Sequence, residues 1–333
     1  MTSMTAPNGL HRNGSHPEAT VARVHPVPSV REVASLGARL RSNVHRGVQL
    51  PADVLDVLLA TLLAGGHLLV EDHPGVGKTQ LARTLAHSLA TPFSRVQATV
   101  DLLPSDIVGA NIWRPDTGSF EFRPGPVFAH IVLVDELNRA TPKTQSGLLE
   151  AMQEHQVTVD GASHRLPSPF MVIATQNPTR GYDGTYPLPP AQLDRFLARV
   201  SLGYPTPEQE VRVLSRGPVP VSPVTTPTEL HAAQQVVAGV HASQALLRYV
   251  VDLLTATRQH ALVEVGASPR AGLLLLAAAR AHAALTCREF VVPDDVQAIT
   301  RAVLPHRIQL AAPAQDGTAE TVVADVLSQV PAR

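Results

Sequence analysis

The sequence predicts an α/β protein in which a parallel sheet flanked by helices is followed by a smaller, all-helical domain. Three observations carry this. Short apolar runs alternate with helical periodicities through the first two thirds of the chain, the pattern of a parallel sheet covered on both faces. One of those runs passes through a glycine-containing loop straight into a helix. After a proline-rich stretch, apolar residues recur only at helical spacing.

At 333 residues the chain is long enough for two domains. Hydrophobic residues make up 44% and charged residues 17%, but aromatics only 4%, so Leu, Val, Ala and Ile must build most of the core. Lys+Arg is 27 and Asp+Glu is 28, a net charge of −1. That balance lacks the basic excess of a protein that coats nucleic acid. A single Cys excludes a disulfide framework and a Cys-based zinc cluster. The fifteen His include no His-Glu-x-x-His pair.

Residues 1–28 are rich in Pro, Gly, Ser, His and Thr and are expected to form a disordered tail. They hold no apolar segment of the secretory kind, so a cytoplasmic location is expected. Helices are predicted over Val30–Arg46 and Ala52–Leu63, with Pro51 suited to a first turn and Gly65-Gly66 as a stop. A strand follows at His67–Val70, then a loop, then a helix from Lys78 to Ala90. Further strands are predicted at Ser94–Ala98, Ile131–Asp135, Phe170–Thr175 and Leu197–Leu202, with a helix over Thr144–Glu154. These elements assign residues 29–203 to the first domain. Tyr204–Pro227 holds six prolines and reads as a linker with a short helix at Glu208–Ser215. Residues 228–333 are read as wholly helical: Thr228–Val240, Ser243–Arg258, Pro269–Leu285, Pro293–Leu304 and a last helix over Thr318–Val330 that could dock on either domain. The longest apolar stretch, Ala271–Ala279, is too short to cross a bilayer.

The chemistry begins at Leu69-Val-Glu-Asp-His-Pro-Gly-Val-Gly-Lys-Thr79, a strand, loop and helix start patterned as a Walker A phosphate loop. Small residues let backbone N–H groups turn inward around phosphate, and the helix adds its positive dipole end. Pro74, Gly75, Val76, Gly77, Lys78, Thr79 and Gln80 are the candidate nucleotide-binding residues. Lys78 would reach the β- and γ-phosphates, and the Thr79 hydroxyl would ligate Mg²⁺. The strict pattern has Gly five residues before Gly77, where this chain has Asp72. The chain holds only two lysines, Lys78 and Lys143, against 25 arginines. A lysine kept here indicates a place where a compact ammonium fits and a guanidinium fork does not.

Ile131-Val-Leu-Val-Asp-Glu136 is an apolar strand ending in two carboxylates, the Walker B pattern. Asp135 would hold the Mg²⁺ shell and Glu136 would polarise the attacking water. Asn177, after the next strand, could orient that water; an ordinary Asn-Pro turn is the competing reading. Arg195 in Gln192-Leu-Asp-Arg-Phe196 would project toward a neighbouring subunit as an arginine finger, against a plain salt bridge with Asp194. Arg270 opens a helix capped by Ser268, where the dipole disfavours a cation; a nearby anion such as a γ-phosphate would offset this.

Together these motifs resemble the AAA+ ATPases, and more narrowly the MoxR-like family with its insert in helix 2. The resemblance runs from Val30 to the C-terminus. It is closest over Asp101-Leu-Leu-Pro-Ser-Asp-Ile-Val-Gly109, Asp135-Glu-Leu-Asn-Arg-Ala-Thr-Pro-Lys-Thr-Gln145, Leu148-Leu-Glu-Ala-Met-Gln-Glu154, Gly184-Thr-Tyr-Pro-Leu188 and Gln192–Phe196. It implies ATP and Mg²⁺ as ligands, Asn177 as sensor 1, Arg195 as finger and Arg270 as sensor 2, acting in cis on the lid. It implies a ring, hexameric in the family, that remodels or activates partner proteins, among them von Willebrand factor A domain proteins. Asn111–Phe128 and Gln156–Leu166 resemble the clade's two hairpin inserts, which would bring Trp113 and His164 near a client. Thr179-Arg-Gly-Tyr-Asp183 departs from the family by being more basic and one residue longer, and Pro190 stands where Glu is common. A metal-chelatase motor subunit and an ATP-dependent adaptor with little hydrolysis are the alternatives; a helicase fits least.

Overall fold

The computed structural model describes residues 28–73, 75–177, 184–217, 219–311 and 318–332. All but the last residue of the expected tail over 1–28, Pro74 and the departing loop at 179–183 lie outside them. Five parallel strands form the central sheet: β1 (Leu68–Glu71), β2 (Phe93–Gln97), β5 (Ile131–Asp135), β8 (Met171–Gln176) and β9 (Ala198–Val200). Their spatial order is β2-β5-β8-β1-β9. The strands match those predicted to within a few residues.

Side chains alternate across this sheet, as a two-residue period requires. Leu68, Val70, Leu133 and Ile173 face one apolar cluster, shared with α1 (Val30–Gly47), α2 (Ala52–Leu63) and α3 (Lys78–Ser88). Leu69, Val132, Val134 and Val172 face the other, against α5 (Pro142–Glu154) and Ile107 of α4 (Pro104–Val108). Both faces are therefore dry, which explains why the strands read as unbroken apolar runs.

Two hairpins leave this core. One pairs β3 (Gly109–Arg114) with β4 (Ser119–Pro124), the other β6 (Gln156–Val159) with β7 (Ala162–Arg165). The second turns at Asp160-Gly161, both with positive φ, the geometry of a two-residue hairpin turn. The hairpins touch: the rings of Phe122 and His164 stack with centroids 3.7 Å apart, and the Asn111 amide donates to Asp160 at 2.7 Å. His164 is thus engaged by the first hairpin, while Trp113 packs edge-on to Phe120 and both stay more than half exposed.

After α6 (Pro190–Leu193) and β9, α7 (Pro207–Arg216) stands where the short helix was predicted. Then come α8 (Pro227–Ala238), α9 (Gln244–Gln259), α10 (Pro269–Leu285), α11 (Pro293–Val303) and α12 (Ala319–Gln329). Hydroxyls of Ser29, Thr226, Ser243, Ser268 and Thr318 cap α1, α8, α9, α10 and α12, supplying acceptors that the first turn lacks. The C-terminal part is not wholly helical: β10 (Val263–Val265) pairs antiparallel with β11 (Gln309–Leu310). Segments of two and three residues are too short to show a period, and each is ordered only by the other. The last helix, α12, docks on α9 and α11.

Packing reaches across the proline-rich stretch. Helix α10 lies against α1, α2 and α8, so apolar side chains from both ends of the chain form one cluster. The stretch itself is pinned: the buried Asn43 amide donates to the Ser222 carbonyl and to the Ser88 hydroxyl, both at 2.8 Å.

His67 fastens the start of β1. Val172 N–H donates to its Nδ1 at 3.0 Å, and its Nε2 faces the Met152 carbonyl at 3.1 Å. This network selects the neutral ring with the proton on Nε2. Burial, opposed by the Met152 bond, pulls its pKa down to about 4. The unfolded chain therefore takes up this proton first as pH falls, and stability is lost between the ordinary histidine value and pH 4. We expect a loss of up to roughly 3 kcal/mol over that window, read as a falling urea midpoint. His67→Gln should flatten the dependence; an unchanged slope would contradict the assignment.

Candidate functional site

The carboxyl ends of β1, β5 and β8 converge on a cleft of about 440 Å³, the place where open parallel sheets bind ligands. Its lining includes Gly75, Gly77, Lys78, Thr79, Asp135, Glu136 and Asn177. Residues far apart in the chain thus meet as the motifs predicted.

Gly75 and Gly77 have φ of +89° and +94°, values that cost an L side chain 1–2 kcal/mol or so. These two positions turn the loop, and Gly77 ends it as the N-cap of α3. Val76 points inward into the core. Lys78 is only 7% exposed, and its ammonium donates to the Asp72 carbonyl at 2.8 Å. Burial pushes the Lys78 pKa down, while the charges of Asp135, Asp72 and Glu136 oppose the shift. The ammonium is held at the cleft by the Asp72 carbonyl. Gln80 lines the cleft too, but its amide is turned toward the Gly47 carbonyl at 3.3 Å.

The Walker B end is built on Thr175. Its hydroxyl donates to Asp135 Oδ1 and accepts the Glu136 N–H, both at 2.9 Å. The other Asp135 oxygen accepts two Arg95 N–H groups at 2.8 and 3.1 Å. Glu136 sits at φ +55° and its carboxylate pairs with Arg139 at 2.9 Å. Both acids are thereby held by guanidiniums. Asn177 Oδ1 is buried and has no hydrogen-bond partner among the described residues. An orphaned acceptor facing a cleft is expensive unless a donor enters. The Thr79 hydroxyl and Asp135 carboxylate are hard oxygen donors of the kind Mg²⁺ prefers, so the residues present fit that ion together with a phosphate-bearing ligand.

Arg195 and Arg270 do not line this cleft. Asp194 accepts from Arg270 at 3.3 Å and from Arg307 at 2.7 Å; among the described residues it forms no ion pair with Arg195, the alternative to the finger reading. Arg195, half-buried, has no ion pair among the described residues. Arg270, expected at the phosphates of its own subunit, is paired instead with Asp194, the residue before the finger candidate, on a helix packed against α1 and α2.

Sequence reasoning missed Arg95 and Arg83, which also line the cleft. Arg95 meets Asp135 only because β2 lies beside β5. The one signal available was a cation inside a short strand.

Residues 67–198 match the ATPase family associated with various cellular activities (AAA), and residues 255–326 match the AAA lid domain. The chain is 47% identical over 285 residues to the uncharacterized protein YeaC of Bacillus subtilis, covering 84% of this chain and 89% of that one. It is 41% identical to the chaperone MoxR1 of Mycobacterium tuberculosis, covering 83% and 77%. A crystal structure of a candidate ATPase from Cytophaga hutchinsonii superposes with a TM-score of 0.84 at 33% identity, covering 91% and 97%.

Proposed function

Because this chain belongs to the MoxR family of AAA ATPases, we propose that it binds ATP with Mg²⁺ in this cleft, hydrolyses it at the contact between two copies of itself, and uses the cycle to remodel partner proteins. The observation that carries the reading is the meeting of Lys78, Thr79, Asp135, Glu136 and Asn177 around one cleft whose lining does not include Arg195.

The N–H groups of the loop and of the start of α3 would turn toward the β-phosphate and cradle it. Lys78 would leave the Asp72 carbonyl for the β- and γ-phosphate oxygens. Thr79 and Asp135 would hold Mg²⁺, which supplies charge neutralisation across the phosphates. Asp135 gives up Arg95 as the ligand enters. Glu136 would release Arg139 and polarise a water, with Asn177 Oδ1 accepting a hydrogen bond from that water's O–H to fix its orientation. Arg195, with Arg270 held by the preceding residue Asp194, would reach a neighbour's γ-phosphate. No helix among the described residues is long and apolar enough to cross a membrane. The exposed pair Trp113 and Phe120 is the surface we assign to partner contact, and the chaperone name of the Mycobacterium tuberculosis relative supports that role.

Calorimetry with Mg·ATP tests the cleft directly; absence of binding heat would end the reading. The shared site is tested by Arg195→Ala. We expect kcat to fall by about 10²-fold or more, with nucleotide affinity within about threefold of the parent. Mixing Arg195→Ala with Glu136→Gln should restore part of the activity, since about one contact in four of a random ring then pairs an intact Glu136 with an intact Arg195. No recovery on mixing would place the arginine's role within one subunit or outside the reaction.

A further inference from the structure

Asp72 stands where a strict Walker A loop has its first glycine. A glycine would ask nothing of its surroundings, whereas Asp72 is 6% exposed, and a buried carboxylate persists only where donors replace its water. Its donors come from one segment just after β9. The N–H groups of Leu202 and Gly203 donate to Oδ2, the second at 3.2 Å, and the Ser201 hydroxyl donates to Oδ1 at 3.2 Å. Among the described residues no Lys or Arg forms an ion pair with this carboxylate.

The backbone of the same residue reaches two other parts of the site. Its N–H donates to the Gln176 carbonyl at 3.1 Å, directly before Asn177. Its carbonyl accepts the Lys78 ammonium at 2.8 Å. The next residue repeats the connection, since the His73 ring lies nearly parallel to that of Tyr204, at 15° and 6.3 Å. Two consecutive loop residues therefore meet residues 201–204, and residue 204 opens the proline-rich stretch toward the C-terminal helices.

We propose that Asp72 is a positioning residue that ties the phosphate loop to residues 201–204, so that transfer of Lys78 to a nucleotide is passed to the C-terminal helices. The proposal rests on the reading of the cleft as an ATP site. The physical reason is local. When the ammonium leaves, the Asp72 carbonyl loses a charge-assisted bond. The Asp72–His73 peptide then reorients, and the carboxylate on the same residue carries Leu202 and Gly203 with it. Hydrogen-bond geometry, not charge, makes the tie, because Asn at this position could accept both N–H groups through its amide oxygen and donate to the Ser201 hydroxyl.

The test is hydrogen–deuterium exchange on the full chain carrying Glu136→Gln, with and without saturating Mg·ATP. In that parent, exchange should change together at residues 75–79 and 201–204, by about threefold or more. Adding Asp72→Gly, which completes the strict Gly-x-x-x-x-Gly-Lys-Thr motif, should keep the response at 75–79 and remove it at 201–204. Asp72→Asn should retain both. Should the Gly variant fold poorly, Ser201→Ala removes one donor from the far side and should weaken the 201–204 response while sparing 75–79. A response at 201–204 that survives in Asp72→Gly or is undiminished in Ser201→Ala, or one that is lost in Asp72→Asn, overturns the proposal. Failure of the ATP reading looks different: the parent itself then shows no nucleotide-dependent change at 75–79.

Discussion

Glu136→Gln is expected to bind Mg·ATP and not turn it over. Removing a positioned general base costs typically 10²–10⁴-fold, so kcat should fall by at least about 10²-fold. Nucleotide affinity should stay close to that of the parent, because Gln keeps the size of the side chain and the Glu136 N–H still donates to Thr175. Folding should be little affected as well. The ion pair that is lost, with Arg139, is half exposed on its arginine side, and such pairs contribute about 0–1 kcal/mol. Phosphate release measured beside equilibrium binding of a fluorescent ATP analogue separates the two effects. Normal turnover in this variant would remove Glu136 from the chemistry.

Lys78→Ala is expected to lose binding instead. Charge-assisted bonds to phosphate contribute about 1.5–3 kcal/mol each, so affinity for ATP should weaken by about 10²-fold. The free protein should lose much less. Burial already disfavours the Lys78 ammonium, and its removal ends that penalty while leaving the Asp72 carbonyl short of one donor. A thermal midpoint near that of the parent, combined with lost nucleotide binding, is the predicted signature. Lys78→Arg should not rescue it, since a planar fork does not fit where one compact ammonium is enclosed. ATP binding by Lys78→Ala at parental affinity would count against the cleft as a phosphate site.

Much of this site was legible because its chemistry is contiguous. Gly75, Gly77, Lys78 and Thr79 sit in one turn, and their backbone conformation follows from their own residue types. Asp135 and Glu136 close an apolar run of a length that marks a buried strand. The meeting of these two motifs follows from parallel strands whose carboxyl ends share one side of a sheet.

What the sequence alone determined is the set of local elements: the strands of the sheet, the helix starts with Ser268 as a cap, and the glycine turn ahead of Lys78. The tertiary structure decided which distant groups those elements meet. Strand order put Arg95 on Asp135, residues 201–203 under Asp72, and a hydroxyl of β8 between the two acids. Helix packing set Arg270 against Asp194 and brought α10 into the apolar cluster of α1 and α2. The physical reason is range. Backbone conformation and burial period are set within a few residues, whereas a side chain's partner depends on which strand lies next to its own. No periodicity along a single chain encodes that neighbour.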